Sequence, residues 1–483
     1  MHCDLLELEP RPLWRHFHRL TLTPRPSGHE EAVRALVTGF ARDLGLEAFV
    51  DRAGNVVVRK PATPGMESRP GVVLQAHLDM VPQQNAGGTH DFVNDPIEAY
   101  VDGDRVRARG TTLGADNGIG VAAILAVLES DSIVHGPLEA LFTANEEAGM
   151  TGALGLEAGT LRGSCLLNLD SEDEGELFIG CAGGLDATFA FSCTTGPAPA
   201  GSLGFRVRVR GLRGGHSGMD IHLGRGNANR LLARLLLAGE GPHAMRLASL
   251  EGGSLRNAIP REAEALVAVP EEAAEGFRST LGGLASSLRL ELEAADPGLQ
   301  VEILPAAAPE RVMEGGAASR LLKAIDACPN GVSRMSAEME GLVESSSNLA
   351  VVRTGGERAA VECLLRSASE EGMERLEEMF TEVFAGAGAE VSFSGGYPGW
   401  RPDPSSRLVG RMRDIYRGMH GREPKLRAVH AGLECGIIGA GYPELEMVSF
   451  GPTIRHPHSP DEYVLTPSVG RFWEFLVRVL AGL

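Results

Sequence analysis

The segment "GVVLQAHLDM", residues 71–80, is the clearest indication of the fold class. It is a short apolar run that follows a glycine and ends in polar residues, which is typical of a buried strand. The same pattern recurs in "LEALFTANEE" (138–147) and "SCLLNLD" (164–170). Between the first two lies "NGIGVAAILAVLES" (117–130), which has the length and apolarity of a buried helix. Strands that alternate with helices predict an α/β fold with a mostly parallel sheet flanked by helices.

The pattern extends outward from this core and then changes. Upstream, residues 30–45 have helical spacing and residues 55–60 read as a strand. From about Gly201 the hydrophobic pattern differs. In "GFRVRVRGL" (204–212) apolar and polar residues alternate strictly, as they do in a half-exposed strand. The α/β texture returns near the C-terminus with the strand "LEMVSFG" (445–451) and a final helix. We therefore predict a discontinuous domain, residues 1–187 and 394–483, interrupted by an inserted α+β domain, residues 188–393.

The insert shows a weak internal repeat. Residues 256–304 and 347–396 both read as strand, strand, helix, strand. We expect two duplicated α+β halves that pack into one continuous sheet.

The composition excludes several classes of function. The chain has 483 residues and a formal net charge of -19, which argues against nucleic acid and anionic membrane surfaces, because both are bound by clustered Lys and Arg. No apolar stretch is long enough to span a bilayer, and the start lacks the basic and apolar regions of an export signal. We expect a cytoplasmic protein without a membrane partner.

The cysteine pattern also fits a cytoplasmic protein. Their count is odd, and no C-x-x-C motif is present, which fits neither a disulfide framework nor a thiolate zinc site. We interpret them as buried structural thiols: Cys3, Cys165, Cys181, Cys193, Cys328, Cys363 and Cys435.

Histidine and carboxylate residues follow the ends of the predicted strands or precede the apolar helix. In open α/β sheets, sites form beyond the carboxyl ends of the strands, so five separate segments direct such side chains to one edge. These residues are His77 with Asp79, Asp116, Glu146 with Glu147, Asp170, and His456 with His458.

Each of these residues also has a simpler interpretation. Asp116 alone reads as a helix N-cap, His77 as a core histidine, and the adjacent glutamates as solvated loop residues. Together the carboxylates would repel one another unless a cation compensates. The ligands are nitrogen and oxygen without thiolate, which suits Zn²⁺ and also admits Mn²⁺ or Co²⁺. Their number fits two divalent ions that share a carboxylate, with Asp79 placed to orient His77.

Two other functional motifs are suggested by the sequence, but neither is complete. The glycine-rich segments lack the Gly-Lys-Ser/Thr of a phosphate loop. The segment "GGHSGMD" (214–220) misses the serine-hydrolase elbow at its last position.

The motifs "AHLDM", "GADNG", "NEEAG", "NLDSE" and "PHSPDE" resemble those of the dinuclear zinc exopeptidases, the superfamily of carboxypeptidase G, aminoacylase and carnosinase. Longer strings such as "GTTLGADNGIG", "LRNAIPRE" and "HAGLECG" are similar to the aminoacyl-histidine dipeptidases, also called Xaa-His dipeptidases or peptidase D. The resemblance covers nearly the whole chain. It implies a zinc-exopeptidase-like catalytic domain with an inserted lid.

The resemblance also implies residue roles. Asp116 would bridge two metals, and a non-prolyl cis peptide bond would follow it. Asp79 would hold His77, and Glu146 would be the general base for a metal-bridging hydroxide. The remaining metal ligands would be His77, Glu147, Asp170 and His458, with His456 a conceivable replacement for His458, and the substrate contacts would be His216, Asn257, Arg366 and Gly432.

The activity implied is hydrolysis of dipeptides, with Xaa-His substrates resembling carnosine preferred. Another amide hydrolase of the superfamily, such as an aminoacylase or a tripeptidase, is the nearer alternative, and a catalytically silent metal-binding scaffold is the more distant one. An intact Glu146 argues against a scaffold, which needs no base. A homodimer is compatible with the resemblance, because smaller members take the equivalent of His216 from a partner subunit. A duplicated insert would instead supply it within one chain.

Overall fold

The computed structural model describes residues 4–483. The chain separates into two compact units. The first contains the residues up to Cys181 together with Trp400–Ala428 and Leu433–Leu483, and the second contains Ala182–Gly399 and Val429–Gly432.

The N-terminal stretch alternates strands and helices after a short 3-10 turn, Asp4–Glu7. In chain order its elements are α1 (Arg11–Thr21), α2 (Glu31–Asp43), β1 (Glu47–Val50), β2 (Val56–Lys60), β3 (Val72–His77), β4 (Ala99–Asp102), β5 (Arg105–Ala108), α3 (Ala115–Glu129), β6 (Leu138–Thr143), α4 (Thr151–Leu154), β7 (Cys165–Asn168) and β8 (Glu176–Cys181).

The middle stretch is richer in strands. Its elements are β9 (Gly183–Ser192), β10 (Thr195–Pro197), β11 (Ser202–Arg210), β12 (Gly215–His216), α5 (Ala228–Glu240), β13 (Arg246–Gly252), β14 (Ala258–Ile259), β15 (Ala263–Pro270), α6 (Ala274–Glu291), β16 (Gln300–Ala306), β17 (Arg311–Met313), α7 (Gly315–Ala327), β18 (Gly331–Met335), β19 (Val343–Gly355), β20 (Arg358–Ser367), α8 (Glu370–Gly386) and β21 (Glu390–Tyr397), with two further 3-10 turns, Ile221–Leu223 and Glu271–Ala273.

The C-terminal stretch returns to alternating helices and strands. Its elements are α9 (Arg407–His420), β22 (Lys425–Val429), α10 (Glu434–Gly441), β23 (Glu446–Ser449), β24 (Ile454–Arg455), β25 (Tyr463–Leu465) and α11 (Thr466–Gly482).

The first unit is built on an eight-stranded sheet in the order β1-β2-β6-β3-β7-β23-β8-β22. Its four central strands, β6, β3, β7 and β23, run parallel. Strands β1, β2 and β8 pair antiparallel around them. The predicted α/β class is confirmed, and the parallel pairing is confined to the centre of the sheet.

Helix α3 is the buried element of this unit. Every residue from Asn117 to Leu128 is buried, and the helix packs against α1 and β3. A helix that is apolar on all faces has to be covered on all faces, which places α3 inside the unit. Its first residues therefore lie in the interior beside the end of β3.

Parallel pairing decides where the strands end. His77 of β3 pairs with Thr143 of β6, and Gln75 of β3 pairs with Asn168 of β7. The carboxyl ends of these three strands consequently meet at one edge of the sheet.

The second unit is built on a nine-stranded sheet, whose main order is β16-β11-β15-β13-β19-β20-β9-β21. All of its strand pairs are antiparallel. Strands β11, β13, β15 and β16 with α5 and α6 run strand, helix, strand, strand, helix, strand. Strands β9, β19, β20 and β21 with α7 and α8 repeat that order. The duplication stays a prediction, and the repeated order supports it.

The predicted domain boundaries, 187/188 and 393/394, fall inside β9 and β21. Both strands belong to the sheet of the second unit, and β21 has an irregularity in its pairing between Ser394 and Tyr397. The compact units divide a few residues outside these strands, at 181/182 and 399/400.

Six of the seven cysteines are described, and all six are free and buried: Cys165, Cys181, Cys193, Cys328, Cys363 and Cys435. Cys3 lies outside the described residues. Among residues 4–483, no helix combines the length and apolarity needed to cross a bilayer.

Candidate functional site

Asp116 lies between two histidines in the first unit. Its Oδ1 is 3.1 Å from Nε2 of His77, and its Oδ2 is 3.4 Å from Nε2 of His458. Asp170 lies on the His77 side, with Oδ1 3.3 Å from the same Nε2. Glu147 lies on the His458 side, with Oε2 2.9 Å from Nε2 of that ring. One carboxylate thus faces two separate imidazole–carboxylate pairs.

These contacts define two groups of three candidate ligands. His77, Asp116 and Asp170 form one group, and Asp116, Glu147 and His458 form the other, each with its ligand atoms within 4.8 Å of one another. A third group of this kind, which overlaps the other two, contains His77, Glu146 and Glu147. All five residues predicted as metal ligands therefore lie together.

His77 is oriented by the residue two positions on. Its Nδ1 is 3.1 Å from the backbone carbonyl of Asp79 and 3.4 Å from the carboxylate of that residue. Because a carbonyl can only accept a hydrogen bond, Nδ1 carries a proton, and Nε2 is the ring nitrogen that faces the carboxylates of Asp116 and Asp170. Asp79 thus contacts His77 through both its backbone and its side chain, and the backbone contact is the shorter, because Asp79 lies beyond the regular end of β3.

The Asp79 carboxylate instead holds the two glutamates. Its Oδ1 accepts the backbone N–H of Glu146 at 3.0 Å, and its Oδ2 accepts that of Glu147 at 3.2 Å and the hydroxyl of Ser27 at 2.7 Å. The turn that follows β6 begins at Asn145, whose φ is 54°. One buried carboxylate thus fixes where both glutamates leave the strand.

The loop that carries Asp116 is held by a distant glutamate. The Glu462 carboxylate accepts the backbone N–H groups of Leu113, Gly114, Ala115 and Asp116, at 2.7 to 3.3 Å. The side chain of Asp116 makes no cap on α3, so the simple N-cap interpretation of this residue is wrong. The peptide bond between Asp116 and Asn117 is cis, as the resemblance implied.

The choice between the two nearby histidines follows from their contacts. Both residues are exposed. His458 reaches Asp116 and Glu147, whereas the ring of His456 lies 5.9 Å from that of Tyr463. Both residues have left-handed backbone angles, with φ of 60° and 55°. Of the two, His458 is the one that the fold directs into the cluster.

The electrostatics of the cluster are those of crowded carboxylates beside imidazoles. Hydrogen bonds to Asp116 and Glu147 raise the pKa of His458 to about 11. Burial raises the pKa of Asp170 to about 7 and that of Glu146 well above its ordinary value. Groups held this far from their usual pKa values are typical of functional sites.

His216, in the second unit, presents a single free donor. Its Nδ1 accepts the backbone N–H groups of Gly218 and Met219, both at 3.1 Å, so the ring proton resides on Nε2. Burial and the nearby Arg366 lower the pKa of His216. The ring is therefore a neutral donor, which suits a group that stabilises a developing oxyanion.

Arg366 is a buried guanidinium of the second unit with spare hydrogen-bonding capacity. It is 5% exposed, and Nη1 donates to Oη of Tyr397 at 3.2 Å. Its Nε is buried without a hydrogen-bond partner, and none of the ion pairs found within residues 4–483 includes it. A cation in this condition is a candidate site for an anion.

Gly432 and Asn257 lie in the same unit. A Cβ on Gly432 would come within 3.0 to 3.2 Å of the Tyr397 ring, the residue that Arg366 contacts. Asn257 is exposed in a turn, and its carbonyl accepts the backbone N–H of Ser217 at 2.8 Å. Because glycine has no Cβ, residue 432 leaves room for the side chain of Tyr397.

Residues 73–482 match the model of peptidase family M20/M25/M40. The chain belongs to this family.

Two relatives of the family match nearly the full length of the chain. The cytosol non-specific dipeptidase of Escherichia coli (strain K12) is 44% identical over 477 residues, which cover 99% of this chain and 98% of that protein. The crystal structure of aminoacylhistidine dipeptidase from Vibrio alginolyticus has a TM-score of 0.94 and 48% identity, covering 99% of this chain and 98% of that one. The structure of aminopeptidase PepT from Bacillus cereus, with a TM-score of 0.57 and 15% identity over 98% of this chain and 99% of that one, shares the fold.

Peptidases of family M20 use divalent metal ions, and the residues of this chain fit such ions. The donor set is imidazole and carboxylate without thiolate, which divalent Zn, Mn or Co accepts. The Oε1 atom of Glu147 is buried and has no hydrogen-bond partner among residues 4–483, so this carboxylate has an unused ligand atom. The carboxylates also crowd one another in a way that a cation relieves.

Several residues that shape this M20 site were not predicted. Arg25 is buried and donates from Nη1 to the carbonyls of Leu78 and Asp79, at 2.8 and 2.9 Å, and from Nη2 to that of Gly114. Glu462 stands inside the quoted motif "PHSPDE" (457–462), so its position in the motif was the available signal. Arg25, Ser27 and Tyr397 lie in segments that read as ordinary loops or strand ends, and periodicity does not single them out.

Proposed function

We propose that this peptidase is a dinuclear metal dipeptidase with a preference for Xaa-His substrates. The observation that carries the proposal is Asp116, whose two oxygens face separate imidazole–carboxylate pairs. The two relatives of nearly equal length are both named dipeptidases, and one is named for aminoacylhistidine substrates. In the proposal His77 and Asp170 would hold one ion, Glu147 and His458 would hold the other, and Asp116 would be a ligand of both.

Two bound divalent ions, Zn²⁺ by preference, would lower the pKa of a water molecule and polarise the scissile carbonyl. Glu146 takes the proton of the attacking water and returns it to the leaving amine. Burial raises the pKa of Glu146 well above its ordinary value, which suits a group that has to hold a proton between these two steps. Asp79 keeps Glu146 and Glu147 in place through their backbone N–H groups.

The substrate contacts are assigned to the second unit on the basis of the resemblance. The Nε2–H of His216 donates to the developing oxyanion. Arg366 binds the α-carboxylate of the dipeptide, with Asn257 and Gly432 as further contacts. The buried guanidinium without a carboxylate partner supports this assignment. Because the Escherichia coli relative is named a cytosol enzyme, we also propose a cytosolic location.

A substrate panel tests the activity. Zn²⁺-loaded protein is incubated with an Xaa-His dipeptide, a matched dipeptide without histidine, the C-terminal amide of the first, a tripeptide and an N-acetyl amino acid. We expect the highest kcat/KM for the Xaa-His dipeptide, and a loss of roughly 30- to 1,000-fold for its amide, since Arg366 would lose its partner. Equal rates for acid and amide would contradict the carboxylate assignment. Faster turnover of the tripeptide would identify the protein as a tripeptidase instead. Faster turnover of the N-acetyl amino acid would identify it as an aminoacylase.

A further inference from the structure

Four buried polar side chains form a hydrogen-bonded layer inside the first unit. They are Gln75, Thr143, Asn168 and Glu434, and each is 0% exposed. Oε2 of Glu434 accepts hydrogen bonds from Nε2 of Gln75 and from the hydroxyl of Thr143, both at 2.7 Å. Oε1 of Gln75 in turn accepts from Nδ2 of Asn168. The layer crosses three adjacent strands, β6, β3 and β7.

This layer lies directly before the candidate ligands along each strand. Gln75 precedes His77 by two residues on β3, so the two side chains share a face. Asn168 precedes Asp170 by two residues, and its Oδ1 accepts the backbone N–H of Asp170 at 3.2 Å.

The third strand, β6, carries its member of the layer in a corresponding position. Thr143 is the last residue of β6, and the turn with Glu146 and Glu147 follows it. Three strands that lead to candidate ligands, β3, β6 and β7, therefore each carry one member of the layer.

Stability alone does not account for a carboxyl group at this place. Apolar side chains of similar size would fill the interior of a sheet without burying polar atoms. Oε1 of Glu434 is buried without a hydrogen-bond partner, which is costly in a protein interior. Buried polar networks do, however, restrict their members to one arrangement. We therefore attribute the presence of Glu434 to its Oε2 atom, which fixes the positions of the Gln75 and Thr143 side chains.

We propose that Glu434 is a positioning residue for the metal centre, which fixes the ends of β3, β6 and β7 through Gln75, Thr143 and Asn168. Nothing in the family match or in the names of the relatives assigns this role. The inference rests on the proposed metal site, and it does not depend on which peptide is cleaved.

The chemistry of Glu434 suggests a conservative replacement. Burial raises the pKa of Glu434 to about 8, which favours the neutral carboxyl group. The side-chain carbonyl of glutamine can accept the same two hydrogen bonds. Leucine has a similar volume and can accept neither.

The test measures Zn²⁺ affinity by chelator competition on metal-stripped protein, together with urea unfolding. Glu434→Leu is expected to weaken Zn²⁺ binding ~10- to 100-fold, the range typical of residues behind the ligands. Glu434→Gln is expected to stay within about threefold of the unmodified chain, because it keeps the acceptor.

Glu139→Leu is the matched control. Glu139 is 6% exposed and lies on the same strand, β6, but near its beginning. Its carboxylate accepts from Nε of Arg59 at 3.0 Å and from the backbone N–H groups of Arg162 and Gly163 at 2.6 and 2.8 Å. We expect the Glu139→Leu substitution to lower the urea concentration at the unfolding midpoint without changing Zn²⁺ affinity.

Unchanged Zn²⁺ affinity in folded Glu434→Leu would overturn the inference, and so would an equal loss in Glu139→Leu. If Glu434→Leu fails to fold, Thr143→Val and Gln75→Leu each remove one hydrogen bond of the same carboxyl group. Wild-type affinity in both of these variants would then overturn it. A protein that shows the expected affinities but cleaves no dipeptide contradicts the proposed substrate and leaves the inference standing. A chain that binds no Zn²⁺ at all contradicts both.

Discussion

At the scale of single residues, the adjacent glutamates after β6 differ in what they contact. Glu147 reaches His458 at 2.9 Å and belongs with Asp116 to one candidate ligand group. Glu146 belongs to neither of the two groups that share Asp116. Because successive side chains point in different directions, two adjacent carboxylates can serve different purposes.

We therefore predict opposite phenotypes for two conservative substitutions. Glu146→Gln is expected to keep both metal ions and lose ~10²- to 10⁴-fold in kcat, the usual cost of removing a general base. Glu147→Gln is expected to lower metal occupancy, because an amide is a poorer ligand than a carboxylate. Metal analysis of the purified variants, together with kcat under Zn²⁺ saturation, measures both effects. Equal metal content and equal activity in the two variants would contradict the assignment.

At the scale of elements, the N-terminus of α3 is capped by a residue far away in the chain. Glu462 holds four consecutive backbone N–H groups that end at Asp116. These groups have no partner within the helix, because Asp116 and Asn117 have non-helical backbone angles and the regular part of α3 begins after them. The position of the shared carboxylate thus depends on the segment between β24 and β25.

We predict that Glu462→Gln destabilises the protein and weakens metal binding together. The amide NH₂ would face backbone donors, which costs about 1–3 kcal/mol of unfolding free energy. Zn²⁺ affinity should fall ~10-fold, since Asp116 would lose part of its support. Urea unfolding and chelator competition measure the two quantities.

A capping glutamate at another helix provides the control. Glu446 accepts from the hydroxyl of Ser406 and the backbone N–H of Arg407, both at 3.0 Å, at the start of α9. Glu446→Gln should change stability alone. If it lowers Zn²⁺ affinity as much as Glu462→Gln does, then capping at α3 has no special connection with the metal site.

At the scale of the whole molecule, the second unit carries two halves with the same order of elements in one continuous sheet. The resemblance implies that smaller members of the superfamily take the equivalent of His216 from a partner subunit. A chain that contains both halves does not need that arrangement. We propose that one chain supplies its own His216, whether or not it forms a homodimer.

A mixing experiment tests this prediction. We expect that a mixture of His216→Ala and Glu146→Gln chains, unfolded and refolded together, has no more activity than the two variants measured apart. A mixture of unmodified and Glu146→Gln chains, treated in the same way, should be active in proportion to the unmodified chains. Strong recovery in the first mixture would show that His216 acts across an interface between chains.

The sequence by itself determined the α/β class and the residues that gather at the strand ends. Short apolar strands around a buried helix leave few architectures, and the parallel strands β3, β6 and β7 have to end at one edge. His77 ends β3, and Glu147 and Asp170 lie within four residues of the ends of β6 and β7, so local pattern was sufficient to place them together.

The tertiary structure alone decided the contacts that come from distant parts of the chain. Glu462 lies 346 residues from Asp116, and Glu434 lies 359 residues from Gln75, so no local periodicity connects them. The choice of His458 over His456 also depended on which ring reaches Asp116. A sequence pattern reports burial and local conformation, whereas a hydrogen bond between distant segments exists only once the chain has folded. Charged residues such as Arg25 and Glu462 look like surface residues until the fold encloses them.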